Sequence, residues 1–102
     1  MACPDMKLFL MAPYVLEGSA TCATEEIPDK WERFKSDTAE KAAIVKKLAE
    51  KFSLPLIELQ PAFDEACKKA PASYWLQDGV HPTPQGHEII KRLWIEQFNK
   101  IK

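Results

Sequence analysis

Cysteine is scarce in this chain and irregularly placed: Cys3, Cys22 and Cys67 are an odd set with no CxxC spacing. That excludes a disulfide framework. There are only three glycines and no repeat, low-complexity tract or internal linker. No apolar run is long enough to cross a bilayer. Charge of one sign is missing too, with 14 Lys and Arg against 15 Asp and Glu, so the chain carries no electrostatic footprint for nucleic acid or an anionic membrane. A small, weakly charged substrate or another protein is the expected partner. The 102 residues amount to one domain's worth of chain with a modest core.

The N-terminal stretch "MACPDMKLFLMAPYVLEGSATCA" imitates a secretory signal, with Lys7, an apolar run and small residues from Gly18 to Ala23. Asp5 spoils the basic flank and Pro13 breaks the run, so residues 7–12 read as a short buried strand instead. The expected location is the cytoplasm, with secretion open to a longer form.

Pro28 opens a long helical pattern in which Trp31, Phe34, Thr38, Ala42, Val45, Leu48, Ala49 and Phe52 share a stripe. That stripe is expected to be core. "LPLIEL" at residues 54–59 suits a second strand, and Pro61 starts a short helix to about Lys69. A loop spans Pro71 to Gln85. From Gly86 to Ile101, the set Ile89, Ile90, Leu93, Trp94, Phe98 and Ile101 marks the last helix. The order β-α-β-α predicts an α/β fold with a parallel, doubly wound sheet. Two strands are few for such a sheet, which predicts a partial domain.

The loop and the start of the last helix carry the chemistry, in "YWLQDGVHPTPQGHEII", residues 74–90. A histidine acting as general base needs the right tautomer and a stabilised imidazolium, and a carboxylate on its Nδ1 supplies both. Asp78 and His81, separated by Gly79 and Val80, can turn toward each other, while Pro82 and Pro84 stiffen the far side. By spacing alone, Asp78 with Gly79 also reads as a simple turn. His87, just inside the last helix, reads as a structural or capping residue. Thr83 and Gln85 are expected to bond backbone groups where that helix begins. Trp75 either floors a substrate pocket or packs the loop. The possible metal ligands lack closely spaced pairs apart from His81 and His87, so neither a metal nor a cofactor is expected. A cysteine nucleophile, Cys22 or Cys67 beside His81, is chemically reasonable but rests on no motif.

The block "YWLQDGVHPTPQGHEIIKRLW" resembles the last conserved block of the SGNH, or GDSL-like, hydrolases. Upstream, "PDMKLFLMAP" is similar to that family's fourth strand, and "WERFKSDTAEKAAIVKKLAEKFSLPLIELQPAFDEA" to its next helix, fifth strand and short helix. The resemblance implies a partial flavodoxin-like, three-layer SGNH fold over residues 1–102 with the N-terminal strands missing. It implies a serine ester hydrolase of small acyl or acetyl esters, on carbohydrate or lipid, in which Asp78 orients His81 and His81 activates the nucleophile. The family's Gly-Asp-Ser and Gly-x-Asn-Asp blocks have no counterpart, since Ser19, Ser36, Ser53 and Ser73 lie in other contexts. The chain alone is therefore expected to be inactive, partnered by an N-terminal half or by further copies of itself. The competing expectation is a non-catalytic binding or assembly module.

Overall fold

The computed structural model describes residues 8–101, and the start of the strand expected at 7–12 lies outside them. Elements run β1 (Leu10–Met11), α1 (Lys30–Lys51), β2 (Leu56–Ile57), α2 (Leu59–Ala66), α3 (Ala72–Trp75) and α4 (Pro84–Ile101). The expected β-α-β-α order holds, with α3 as an addition inside the expected loop. β1 and β2 pair in parallel, Leu10 opposite Leu56 and Met11 opposite Ile57. Leu10 N–H donates to the Pro55 carbonyl and Ala12 N–H to that of Ile57, both at 2.9 Å.

Both strands are much shorter than the six-residue segments expected from sequence. The physical reason is that a ladder lengthens when a strand has partners on both sides, and among the described residues β1 pairs with β2 alone. Nor is the segment buried on both faces: Met11 in β1 and Leu8 just ahead of it are exposed.

The core is a cluster of Leu16, Ile57, Leu59, Phe63 and Leu76. Leu59, Phe63 and Ala66 recur at helical spacing along α2 and are all buried. Pro61 sits within the first turn of α2, not at its start, because the amides of that turn have no intrahelical acceptor to lose. Tyr14 packs on Phe63 with ring centroids 5.0 Å apart. α4 closes the cluster from α2, α3 and β2, with Ile89, Ile90 and Leu93 turned inward. Its far half reaches the sheet, where Gln97 Nε2 donates to the Leu56 carbonyl and Trp94 meets Phe9 edge-on at 5.5 Å.

Helix α1 departs most from expectation. It begins at Lys30, with Asp29 at the N-cap, and not at Pro28. Of its apolar stripe only Ala49 is buried, and Trp31, Thr38, Ala42 and Val45 are half-buried. Phe34, Leu48 and Phe52 are exposed, Phe52 by 61%, so the stripe is not core within this chain. At 1.5 Å per residue α1 is about 33 Å long, and it packs against a sheet only two strands wide. The described chain accordingly measures 52 × 26 × 22 Å, elongated for its size.

Candidate active site

The segment between α3 and α4 is a narrow closed turn. Leu76 and Pro82 form an antiparallel bridge, and Gln77 N–H donates to the His81 carbonyl at 2.8 Å. Below the bridge, Thr83 N–H donates to the Trp75 carbonyl at 3.0 Å, and the one proton of Thr83 Oγ1 faces the carbonyls of Tyr74 at 2.7 Å and Trp75 at 3.0 Å. Thr83 Oγ1 also accepts from the Gly86 amide at 3.1 Å, which makes it the N-cap of α4, with Pro84 in the first helical position. Proline is suited to that position, because its fixed φ is already helical and its missing N–H would have no acceptor there. The helix therefore starts two residues before the expected Gly86.

At the tip, the chain turns tightly enough to fold Asp78 onto His81. Gly79 has φ +101°, a backbone state that other residues adopt only with strain. Asp78 Oδ1 accepts from the amides of Val80 at 3.0 Å and His81 at 2.9 Å, and its Oδ2 lies 2.7 Å from His81 Nδ1. The His81 and Val80 amides, and after them the imidazole, hold the Asp78 carboxyl down to about 2. At neutral pH that carboxylate is an acceptor only, so the facing Nδ1 is the donor, and in the neutral imidazole the lone pair is then on Nε2. The Asp78 side chain is 24% exposed and that of His81 77% exposed. The arrangement is a surface-facing imidazole with its tautomer and orientation fixed from behind.

The other residues singled out from sequence lie elsewhere. Trp75 Nε1 donates to the Ala70 carbonyl at 3.3 Å, and its ring packs edge-on to Tyr74. It lines a groove with Ile89 and Arg92 to which neither Asp78 nor His81 contributes. The expectation that Gln85 bonds the helix start is corrected: among the described residues its side chain makes no hydrogen bond, because Thr83 already caps α4. His87 is not a cap either, and its ring lines an exposed groove with Met11 and Trp94. Among the described residues none of the four serines bonds His81, and no cluster of ligands suits a metal ion. Burial, and then the charge of Asp64, pushes the Cys67 thiol up, opposite to the activation a cysteine nucleophile requires. Cys22 is a half-buried free thiol. No described helix is long and apolar enough to cross a membrane.

The sequence reading overlooked the loop from Leu16 to Cys22, which docks on the carbonyls of Asp78 and Gly79 through the amides of Ala20 and Leu16, each at 2.9 Å. Nothing in "LEGSATC" marks it as a partner of residues about sixty positions away.

No family model matches the chain. It is 27% identical over 91 residues to an acetylxylan esterase of Geobacillus stearothermophilus, covering 89% of this chain and 37% of that protein. Its fold matches a protein of Parabacteroides merdae described as a GDSL-like lipase, with TM-score 0.70 and 28% identity over 94% of this chain and 41% of the other. The chain thus spans about two fifths of the length of the proteins it matches. A parallel strand pair among helices, an Asp-x-x-His turn ahead of the last helix, and likeness to both proteins over nearly the whole chain agree in making this chain similar to a C-terminal portion of a GDSL-like, or SGNH, esterase, with the mixed α/β fold of such a portion.

Proposed function

We propose that the chain supplies the acid–base part of a serine ester hydrolase acting on small acyl or acetyl esters of carbohydrate or lipid. The observation that carries this reading is the 2.7 Å contact from Asp78 Oδ2 to His81 Nδ1, with the imidazole turned outward. Asp78 sets the tautomer and stabilises the imidazolium. His81 Nε2 takes the proton of a serine hydroxyl as it attacks the ester carbonyl, and returns that proton to the departing alcohol. The serine and the oxyanion donors come from a complementary N-terminal part of the same domain, seated on the open edge of β1. The acetylxylan esterase relative supports the choice of acetyl esters.

Mixing the chain with a separately produced N-terminal part of a GDSL-like lipase, carrying its Gly-Asp-Ser block, tests this. Hydrolysis of p-nitrophenyl acetate should appear only in the mixture. A stable complex of the two parts without hydrolysis would refute the reading. The exposed Leu8, Met11, Leu48 and Phe52 favour a second reading, an assembly module that uses these surfaces without chemistry; it predicts that stable but inactive complex.

A further inference from the structure

Thr21 is fully buried and is the one buried polar side chain among the described residues. Its Oγ1 donates to the Leu16 carbonyl at 2.7 Å and accepts from the Gly18 amide at 2.9 Å. A hydroxyl has one proton and two lone pairs, so these bonds use its donor and one acceptor site. They curl residues 16–21 into a closed knot, tightened by the Thr21 and Cys22 amides donating to the Gly18 carbonyl at 3.0 and 2.8 Å.

The knot presents two amides outward. Leu16 N–H reaches the Gly79 carbonyl and Ala20 N–H the Asp78 carbonyl, both at 2.9 Å. The fit leaves no slack. A Cβ on Gly18 would stand 2.5 Å from the Asp78 carbonyl carbon, and one on Gly79 would stand 2.4 Å from the Leu16 oxygen and 2.8 Å from Thr21 Oγ1. Asp78 is therefore held at both ends, its main-chain carbonyl by the knot and its carboxylate by the amides of Val80 and His81.

We propose that Thr21 is a positioning residue for the Asp78–His81 pair, its hydroxyl setting the shape of the loop that fixes the Asp78–Gly79 backbone. The role in catalysis rests on the esterase reading above; the role in geometry does not. Thr21 touches neither reacting group, and its effect passes through Leu16, Ala20 and the turn. Catalytic groups lose effectiveness when displaced by about half an ångström or more, and a loosened Asp78 carbonyl frees the carboxylate to leave the two amides.

The test is NMR on the full 102-residue chain, following the Asp78 carboxyl carbon through acid titration and the ring nitrogens of His81 at neutral pH. In the unaltered chain the carboxyl should titrate at about 2, held down by the His81 and Val80 amides, and the ring should show Nδ1–H facing Asp78. Thr21→Val should move the titration up toward the ordinary value of about 3.9 and average the two ring nitrogens. Thr21→Ser should restore both signatures, although it lacks the buried methyl. Packing alone would give the reverse order, with Ser lowering the melting temperature and neither variant moving the titration. Should Thr21→Val not fold, the comparison passes to Thr21→Ser and Thr21→Cys, which are similar in size but differ in hydrogen-bonding strength. A Val variant, or a Ser and Cys pair, with unmoved titration and tautomer would overturn the proposal. These readouts involve no hydrolysis, so an inactive complemented enzyme with the expected signatures removes the esterase reading and leaves Thr21's role standing.

Discussion

The hydroxyl of Thr83 lies 3.0 Å from the carbonyl of Trp75, and the Thr83 amide reaches the same oxygen at 3.0 Å. The hydroxyl also lies 2.7 Å from the Tyr74 carbonyl, so the amide and hydroxyl of Thr83 tie the chain back to α3 and shut the loop bearing Asp78 and His81, while the hydroxyl oxygen caps α4. Removing the hydroxyl should do two kinds of damage. Thr83→Ala is expected to destabilise the chain by about 1–2 kcal/mol, as loss of a helix cap does, while Thr83→Ser should stay close to the unaltered protein. Urea unfolding followed by circular dichroism measures both, and equal stability of the Ala and Ser variants would contradict the assignment.

Acid stability follows from Asp78. Its folded carboxyl is held at about 2 by the His81 and Val80 amides and then the imidazole, below the ordinary value of about 3.9. A depressed acid contributes stability that is fully present above the unfolded value and is lost as pH falls through the folded one. The contribution should therefore fade between about pH 4 and pH 2. Asp78→Asn should flatten that part of the stability-against-pH curve. An acid limb identical in the two proteins would show that the Asp78 contacts are absent in solution.

Chemistry should divide the chain from its complemented form. Alone it should hydrolyse p-nitrophenyl acetate at the rate of buffer and take no label from a serine-directed phosphonate at Ser19, Ser36, Ser53 or Ser73. Within an active complemented enzyme, His81→Ala and Asp78→Asn should each lower kcat by roughly 10²–10⁴-fold, the range for losing a positioned general base or its correct tautomer. Stoichiometric labelling of the isolated chain, or full activity of the His81 variant, would be incompatible with the proposed division of roles.

Association should follow from the surfaces that β1 and α1 leave uncovered. Leu8 is 56% exposed and Phe52 61% exposed, and the outer edge of β1 has unpaired amides and carbonyls among the described residues. At micromolar concentration light scattering should report a dimer or larger species, and Leu8→Lys should shift it toward monomer. A folded, soluble monomer that the lysine leaves unchanged would show that two strands and their helices suffice alone.

The parts legible from sequence are those set by local rules. The apolar spacing of Ile89, Ile90 and Leu93 marks the inward face of α4, although its start lies two residues before the expected Gly86, and Pro61 signals the short helix α2, although that helix begins at Leu59. Asp78 and His81 stand three residues apart around a glycine, close enough for the turn itself to join them. Each of these depends on neighbours within a few positions, and the chain order states them directly.

What the tertiary structure decided depends on distant partners. The stripe of α1 reads as core because periodicity reports which residues could be buried, whereas burial itself requires a surface to pack against, and the sheet beside α1 is two strands wide. Trp31 and Ala49 find cover; Phe34, Leu48 and Phe52 do not. Strand lengths shrank for the same reason, since a ladder needs a partner for each residue it extends. Thr21 shows it most clearly. An unremarkable threonine in a polar loop becomes fully buried because Leu16 and Ala20 must reach the carbonyls of Gly79 and Asp78, a closure across some sixty residues that no local pattern records.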